Sequence, residues 1–193
     1  MSSHKRGQSF ALSRKNMKNQ KQMRRRILWL CTAAIIAALY VVLTFLAMAL
    51  GLDKNAIQLR FSESLIVLAY LTPAAIPGLY VGCLLANILT GCAALDILLG
   101  PIATLIGAFG AYLIGRMGRG KLSKLFCTVP NILANTIIVS VICYICYTAP
   151  SARTPEMLAY YGITVAVGEI LSSGVLGALL LFCGEKTFRR MLQ

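Results

Sequence analysis

Glu63 and Glu169 are carboxylates set inside long apolar runs. A charged side chain among membrane helices costs about 2.5–3.5 kcal/mol even on the lenient insertion scale. Such a group is retained where it faces a partner, a cavity or a ligand. Gln58, Arg60, Asn87, Asp96 and Asn135 lie at the ends of the same runs or within them. Carboxylates accept N–H donors in pairs or hold an ammonium, and amides both donate and accept. These residue types point to the grip of a polar, nitrogen-rich small molecule. No nucleophile–base pair, metal cluster or proton-relay string accompanies them, and the single histidine is His4 near the start. Binding or transport is therefore expected, not catalysis, and no cofactor or metal.

Each candidate also has a plainer explanation. Glu63 has Arg60 one helical turn before it as a possible ion-pair partner. Glu169 has no basic neighbour in its run, which favours a ligand-facing role. Asn87 and Asn135 either line a cavity or satisfy contacts between helices. Tyr144, Tyr147, Tyr160 and Tyr161 flank one end of the expected bundle, where an aromatic ring stacks on a planar guest or simply anchors at the interface. Trp29 and Tyr40 need only interfacial and packing roles.

The elements that must position these residues are membrane helices. The chain of 193 residues is 58% hydrophobic and only 13% charged, with mean hydropathy +0.75. Disordered, collagenous and ordinary soluble classes are excluded. An all-α membrane protein with one compact bundle is expected, without a separate catalytic domain. Six spans can be drawn: Ile27–Leu50, Ile57–Leu71, Ala74–Leu89, Ile97–Gly115, Phe126–Tyr147 and Tyr161–Cys183. The second and third are short, with Thr72-Pro73 and Pro77-Gly78 marking the break between them. The domain plan is a flexible basic tail over residues 1–26, a six-helix binding domain over 27–185, and a short basic end over 186–193.

Net charge of +13 is unevenly spread. Nine of the nineteen Lys and Arg residues precede Ile27, and no acid occurs before Asp53. A basic tail beside an apolar span reads as a topology signal and a contact for anionic lipid, not as a nucleic-acid reader. The run from Ile27 to Leu50 exceeds the length of a secretory signal core. A second cluster holds Arg116, Arg119, Lys121 and Lys124; a third holds Lys186, Arg189 and Arg190. Six spans with both termini cytoplasmic put all three clusters on one side, as the positive-inside rule requires. Gln58, Arg60, Glu63, Asn87, Asp96 and Glu169 then share the outward half. At a rise of about 1.5 Å per residue, Glu169 is on the order of 10 Å below the outer surface. An externally open pocket fed by several helices is expected, in a cell membrane.

Three motifs are set aside or given limited roles. Gly115-x4-Gly120-Lys121 resembles a phosphate-binding loop, but Leu122 stands where a Ser or Thr magnesium ligand belongs. It reads as a cationic connector, so any nucleotide hydrolysis belongs to another chain. Most of the seven cysteines lie within apolar runs (Cys31, Cys83, Cys143, Cys146 and Cys183) and read as small buried hydrophobes, the pair Cys143-x-x-Cys146 included. Ala33, Ala34, Ala37 and Ala38 form a smooth stripe that admits a close helix, either inside the bundle or on another membrane subunit.

The segments Ile57-Gln-Leu-Arg-Phe-Ser-Glu-Ser64, Leu71-Thr-Pro-Ala-Ala-Ile-Pro-Gly78 and Gly82-Cys-Leu-Leu-Ala-Asn-Ile-Leu-Thr-Gly91 resemble the QueT family. Asp96 with Gly100-Pro-Ile-Ala-Thr-Leu-Ile-Gly107, Pro130-Asn-Ile-Leu-Ala-Asn135 and Val167-Gly-Glu169 are similar to it too. The likeness covers about Ala33 to Leu181 and leaves the tail outside. It implies the six-helix fold of a substrate-binding S component of an energy-coupling factor (ECF) importer. It also implies a transmembrane T subunit, two cytoplasmic ATPases, and release of cargo by toppling. The alanine stripe then implies the contact with the coupling subunit.

The implied cargo is a queuosine precursor, a 7-deazaguanine such as 7-aminomethyl-7-deazaguanine or queuine. On this reading Glu63 and Glu169 take the guanine edge and the ammonium in either order, with Asp96 as substitute. Asn87 and Asn135 serve the carbonyl and ring groups, while Gln58, Tyr161 and Arg60 complete the site, Arg60 by orienting Glu63. The alternatives are an S component for folate, thiamine or riboflavin, a small integral membrane enzyme, or a subunit that carries no cargo.

Overall fold

The computed structural model describes residues 2–52, 59–118 and 120–191, and every regular element among them is helical. Gln58 and Arg119, singled out above, lie outside the described residues. The helices are α1 Ser2–Ala49, α2 Phe61–Leu71, α3 Ala75–Leu89, α4 Ala94–Met117, α5 Lys121–Phe126, α6 Val129–Cys146, α7 Pro155–Glu169 and α8 Gly177–Met191. Four stretches are long and apolar enough to cross a membrane: Asn16–Ala49, Ala94–Met117, Lys121–Cys146 and Pro155–Phe188. The two remaining runs, α2 and α3, are shorter apolar helices. They need not match the bilayer alone, because neighbours cover them: residues 62–70 of α2 are all buried.

Several boundaries differ from the sequence expectation. The described part of the basic tail is helical and continuous with the first span, since α1 begins at Ser2. Its composition explains this: Lys, Arg, Gln and Met favour helix, and the first proline is Pro73. The second helix starts at Phe61 and its first turns are a tight 3₁₀ segment, Phe61–Ile66. The fifth span is broken, with α5 ending at Phe126 and α6 restarting at Val129, where Pro130 occupies the first turn. The sixth contains a π-helical segment, Ile170–Leu176, placed immediately after Glu169. Such wide turns occur frequently at functional sites.

Glycines set the helix positions. A Cβ at Gly78 would lie 2.6 Å from the Ala33 carbonyl oxygen, and one at Gly82 would lie 2.7 Å from Tyr40 Cβ. α1 and α3 therefore run in parallel with their backbones in close contact. Gly91, with φ +70°, makes the turn that sends α4 back along α3. α4 meets α6 through Gly107 against Asn131 and Gly110 against Pro130. α2 lies alongside α4 in the same direction, with Arg60 beside Asp96 at one end and Tyr70 against Gly115 at the other. At the latter end an ion pair between Lys124 and Glu185 ties α5 to α8.

The outside is apolar and the inside is partly polar, the reverse of a soluble domain. Ile35, Val42, Phe109, Leu133, Ile137 and Ile163 are exposed, while Glu63, Asn87, Asp96, Asn131, Asn135 and Glu169 are buried. The polar groups have come inward because the surrounding apolar phase offers them no partners.

Candidate functional site

The last turn of α3 supplies Asn87, and the first turn of α4 supplies Asp96. The Asn87 side-chain nitrogen donates to the Asp96 carbonyl oxygen at 3.0 Å, pinning the two helix ends together. Arg60 precedes α2 with extended backbone (φ −104°, ψ 99°). Its side chain therefore leaves the helix axis and reaches α4, where Nη2 donates to Asp96 Oδ2 at 3.4 Å. Arg60 thus pairs with Asp96, in place of the expected pairing with Glu63. The second carboxylate oxygen, Asp96 Oδ1, is buried and has no hydrogen-bond partner among the described residues. Gly100 leaves room for this corner: a Cβ there would stand 2.8 Å from Asn87 Nδ2 and 2.9 Å from Asp96 Oδ1.

These groups line a cavity of about 350 Å³ at the end of the bundle where α3 turns into α4. Its wall includes Arg60, Asn87, Cys92, Asp96, Val139 and Tyr147. That volume falls within the range of small-molecule sites. The wall combines an acceptor, a cation, an amide and apolar surface.

Deeper in the bundle lies a second polar group. Tyr40 of α1 donates its hydroxyl to Glu63 Oε1. The Asn131 side-chain nitrogen donates to Glu63 Oε2 at 3.0 Å and to Glu169 Oε2 at 3.1 Å. Asn135 Nδ2 donates to Asn131 Oδ1 at 3.2 Å. Four elements thus meet through side chains: α1, α2, α6 and the end of α7. A niche of about 10 Å³ lies between the two groups, lined by Arg60, Asn135, Val139, Val165 and Glu169. Arg60 and Val139 border both hollows.

Glu63 and Glu169 are therefore brought together, with Asn135 beside them and Asn87, Asp96 and Arg60 at the cavity above. Tyr161 is apart: its hydroxyl accepts from Thr148 Oγ1 at 3.3 Å and its ring packs near Val139, Cys143 and Val165. The alanine stripe divides. Ala37 is buried and Ala33 half-buried, facing Gly82 and Gly78, whereas Ala34 and Ala38 are exposed. Of the four, Ala33 and Ala37 pack against α3, and Ala34 and Ala38 are the ones exposed on α1.

Sequence reasoning missed Asn131 and gave Tyr40 only a packing role. The signal was present for Asn131, which stands four residues before Asn135 in an apolar helix, on the same face. Tyr40 carries no such signal, because an aromatic in an apolar run looks the same whether or not its hydroxyl has a partner.

The family model described as QueT transporter matches residues 30–186, which include the whole of α2 to α7 and every described residue of both polar groups. The chain belongs to the QueT transporter family. Among curated proteins it is 30% identical over 147 residues to the queuosine precursor transporter QueT of Lactococcus lactis subsp. cremoris (strain MG1363). That match covers 73% of this chain and 83% of the relative. No solved structure matches the chain. As a family member with several long apolar helices, the chain is a multi-pass membrane protein, and its family is one of transporters, not of enzymes.

Proposed function

We propose that this chain is the substrate-binding S component of an ECF-type importer and captures a queuosine precursor, a 7-deazaguanine such as 7-aminomethyl-7-deazaguanine or queuine. The observation that carries this reading is the cavity of about 350 Å³ whose wall brings together the Asp96 carboxylate, the Asn87 amide and the Arg60 guanidinium. A guanine-like edge presents adjacent N–H donors, which a carboxylate accepts more strongly than a neutral group does. The Asp96 carboxylate in the cavity wall is such an acceptor, and Asn87, with its nitrogen committed to the Asp96 carbonyl, has its oxygen to offer. Glu169 and Glu63 below serve a side-chain ammonium, with Asn135 beside them. Gln58 is a supporting member of the site.

The cavity end faces outward and both termini are cytoplasmic, following the positive-inside rule applied to the three basic clusters. Energy comes from separate ATPase subunits through a transmembrane T subunit, met on the exposed Ala34 and Ala38 of α1. The basic residues of the tail lie against anionic lipid.

Binding of 7-aminomethyl-7-deazaguanine to purified wild type, Asp96→Asn, Glu63→Gln and Glu169→Gln tests the assignment. Loss of about tenfold or more in affinity on Asp96→Asn is expected, from one charge-assisted hydrogen bond. Unchanged affinity in all three variants refutes the carboxylate site. Competition by folate, thiamine or riboflavin, without competition by related bases, would assign the pocket to another vitamin.

A further inference from the structure

Three carboxylates are buried around the two hollows: Glu63, Asp96 and Glu169 are 2%, 3% and 7% exposed. The basic residue that lines both hollows is Arg60. Among the described residues, the hydrogen-bond donors to Glu63 and Glu169 are the neutral groups of Tyr40 and Asn131. Buried carboxylates are retained when compensated by positive charge, and, among the described residues, one guanidinium beside three carboxylates leaves room for another cation.

The hold on Arg60 is loose. Its 3.4 Å bond to Asp96 is longer than the roughly 2.7–2.9 Å of a tight charge-assisted contact. Its side chain is 24% exposed, and its backbone stands ahead of α2, so it can leave without moving a helix. The niche beside Glu169 has about 10 Å³, room for a water-sized group and not for a ring. A primary ammonium has that size.

We propose that Arg60 is a resident counter-cation, displaced when the positively charged arm of a guest enters the niche beside Glu169, and that the pocket thereby selects cationic over neutral 7-deazaguanines. The inference rests on the deazaguanine reading of the cavity. Asp96 and Asn87 then hold the base, while Glu169 reads the charge of its arm.

The test compares 7-aminomethyl-7-deazaguanine with the same base carrying a neutral nitrile at that carbon. Both are titrated into the purified full chain as wild type, Glu169→Gln and Arg60→Gln. Wild type should prefer the aminomethyl base by about tenfold or more, and Glu169→Gln should bring the two within about twofold. Arg60→Gln should widen the preference. A preference unchanged in Glu169→Gln, or equal weakening of both bases by Arg60→Gln, overturns the proposal.

A second readout needs no ligand. Arg60→Gln should lower the melting temperature by a few degrees, about 3–5 °C, and adding Glu169→Gln should recover part of it. No recovery means Arg60 does not balance Glu169, and the counter-cation role falls. If the recovery occurs but neither base binds wild type, the charge balance stands and the deazaguanine reading is what fails.

Discussion

One amide nitrogen of Asn131 bonds both Glu63 and Glu169, at 3.0 and 3.1 Å, so that α6 holds carboxylates from two other segments side by side. An amide carries two N–H groups and can serve each oxygen with one. Glu63 and Glu169 would otherwise face each other as like charges. Asn131→Leu should therefore destabilise the protein by about 2–4 kcal/mol, a buried-network loss. Thermal unfolding in detergent measures it, and Glu63→Gln in the Asn131→Leu background should restore part of the loss. A melting temperature equal to wild type in Asn131→Leu would show that the bridge is dispensable.

The α1–α3 contact depends on the absence of a side chain. A Cβ at Gly82 would sit 2.7 Å from Tyr40 Cβ and 3.0 Å from Ala37 Cα, atoms that cannot retreat without moving α1. Gly82→Ala should cost about 1–3 kcal/mol by overpacking. Gly118→Ala is the control, because nothing lies within 4 Å of a Cβ there and its φ of −167° suits any residue. Equal melting curves for the two variants would contradict the proposed close approach.

Gly100 separates binding from folding. A methyl group at that position meets the ends of the Asn87 and Asp96 side chains, not backbone. Those side chains can shift, so Gly100→Ala should melt within a few degrees of wild type. The cavity corner would nevertheless be rebuilt, and affinity for the aminomethyl base should fall about tenfold, as for one displaced strong hydrogen bond. Calorimetric titration decides; wild-type affinity would mean that this corner does not touch the guest.

The exposed half of the alanine stripe makes a distinct prediction. Ala34→Leu and Ala38→Leu add bulk to an open face of α1 and should leave the isolated protein's stability within about 0.5 kcal/mol. Copurification with a tagged T subunit should drop in the same variants. Ala37→Leu, pressed against Gly82, should instead destabilise the bundle itself. Full assembly by Ala34→Leu/Ala38→Leu would move the partner's contact elsewhere.

Much of this architecture was legible in the residues. Apolar run lengths located the six helical segments, and Thr72-Pro73 marked the α2–α3 break, because hydropathy and proline act locally. Glu63, Asp96, Glu169 and the asparagines stood out for the same reason: each is costly in its own surroundings whatever its neighbour is. The partner of Arg60 was not legible. Spacing on a helix favours Glu63, but Arg60 precedes α2 in extended conformation, and its direction follows backbone angles that no local pattern announced. The π-helical segment after Glu169 and the split of the alanine stripe were hidden similarly, since both depend on what packs alongside.

The residues alone determined that this chain forms apolar helices, that its few interior charges must be sheltered, and that its relatives are transporters. Transfer free energy is a property of each side chain, and so it can be read one position at a time. Only the tertiary structure decided that Asn131 bridges two acids, that Asp96 pairs with Arg60 at the cavity wall, and that Arg60 stands between the two hollows. Those outcomes depend on how each helix is rotated about its axis, which close glycine contacts between distant segments set.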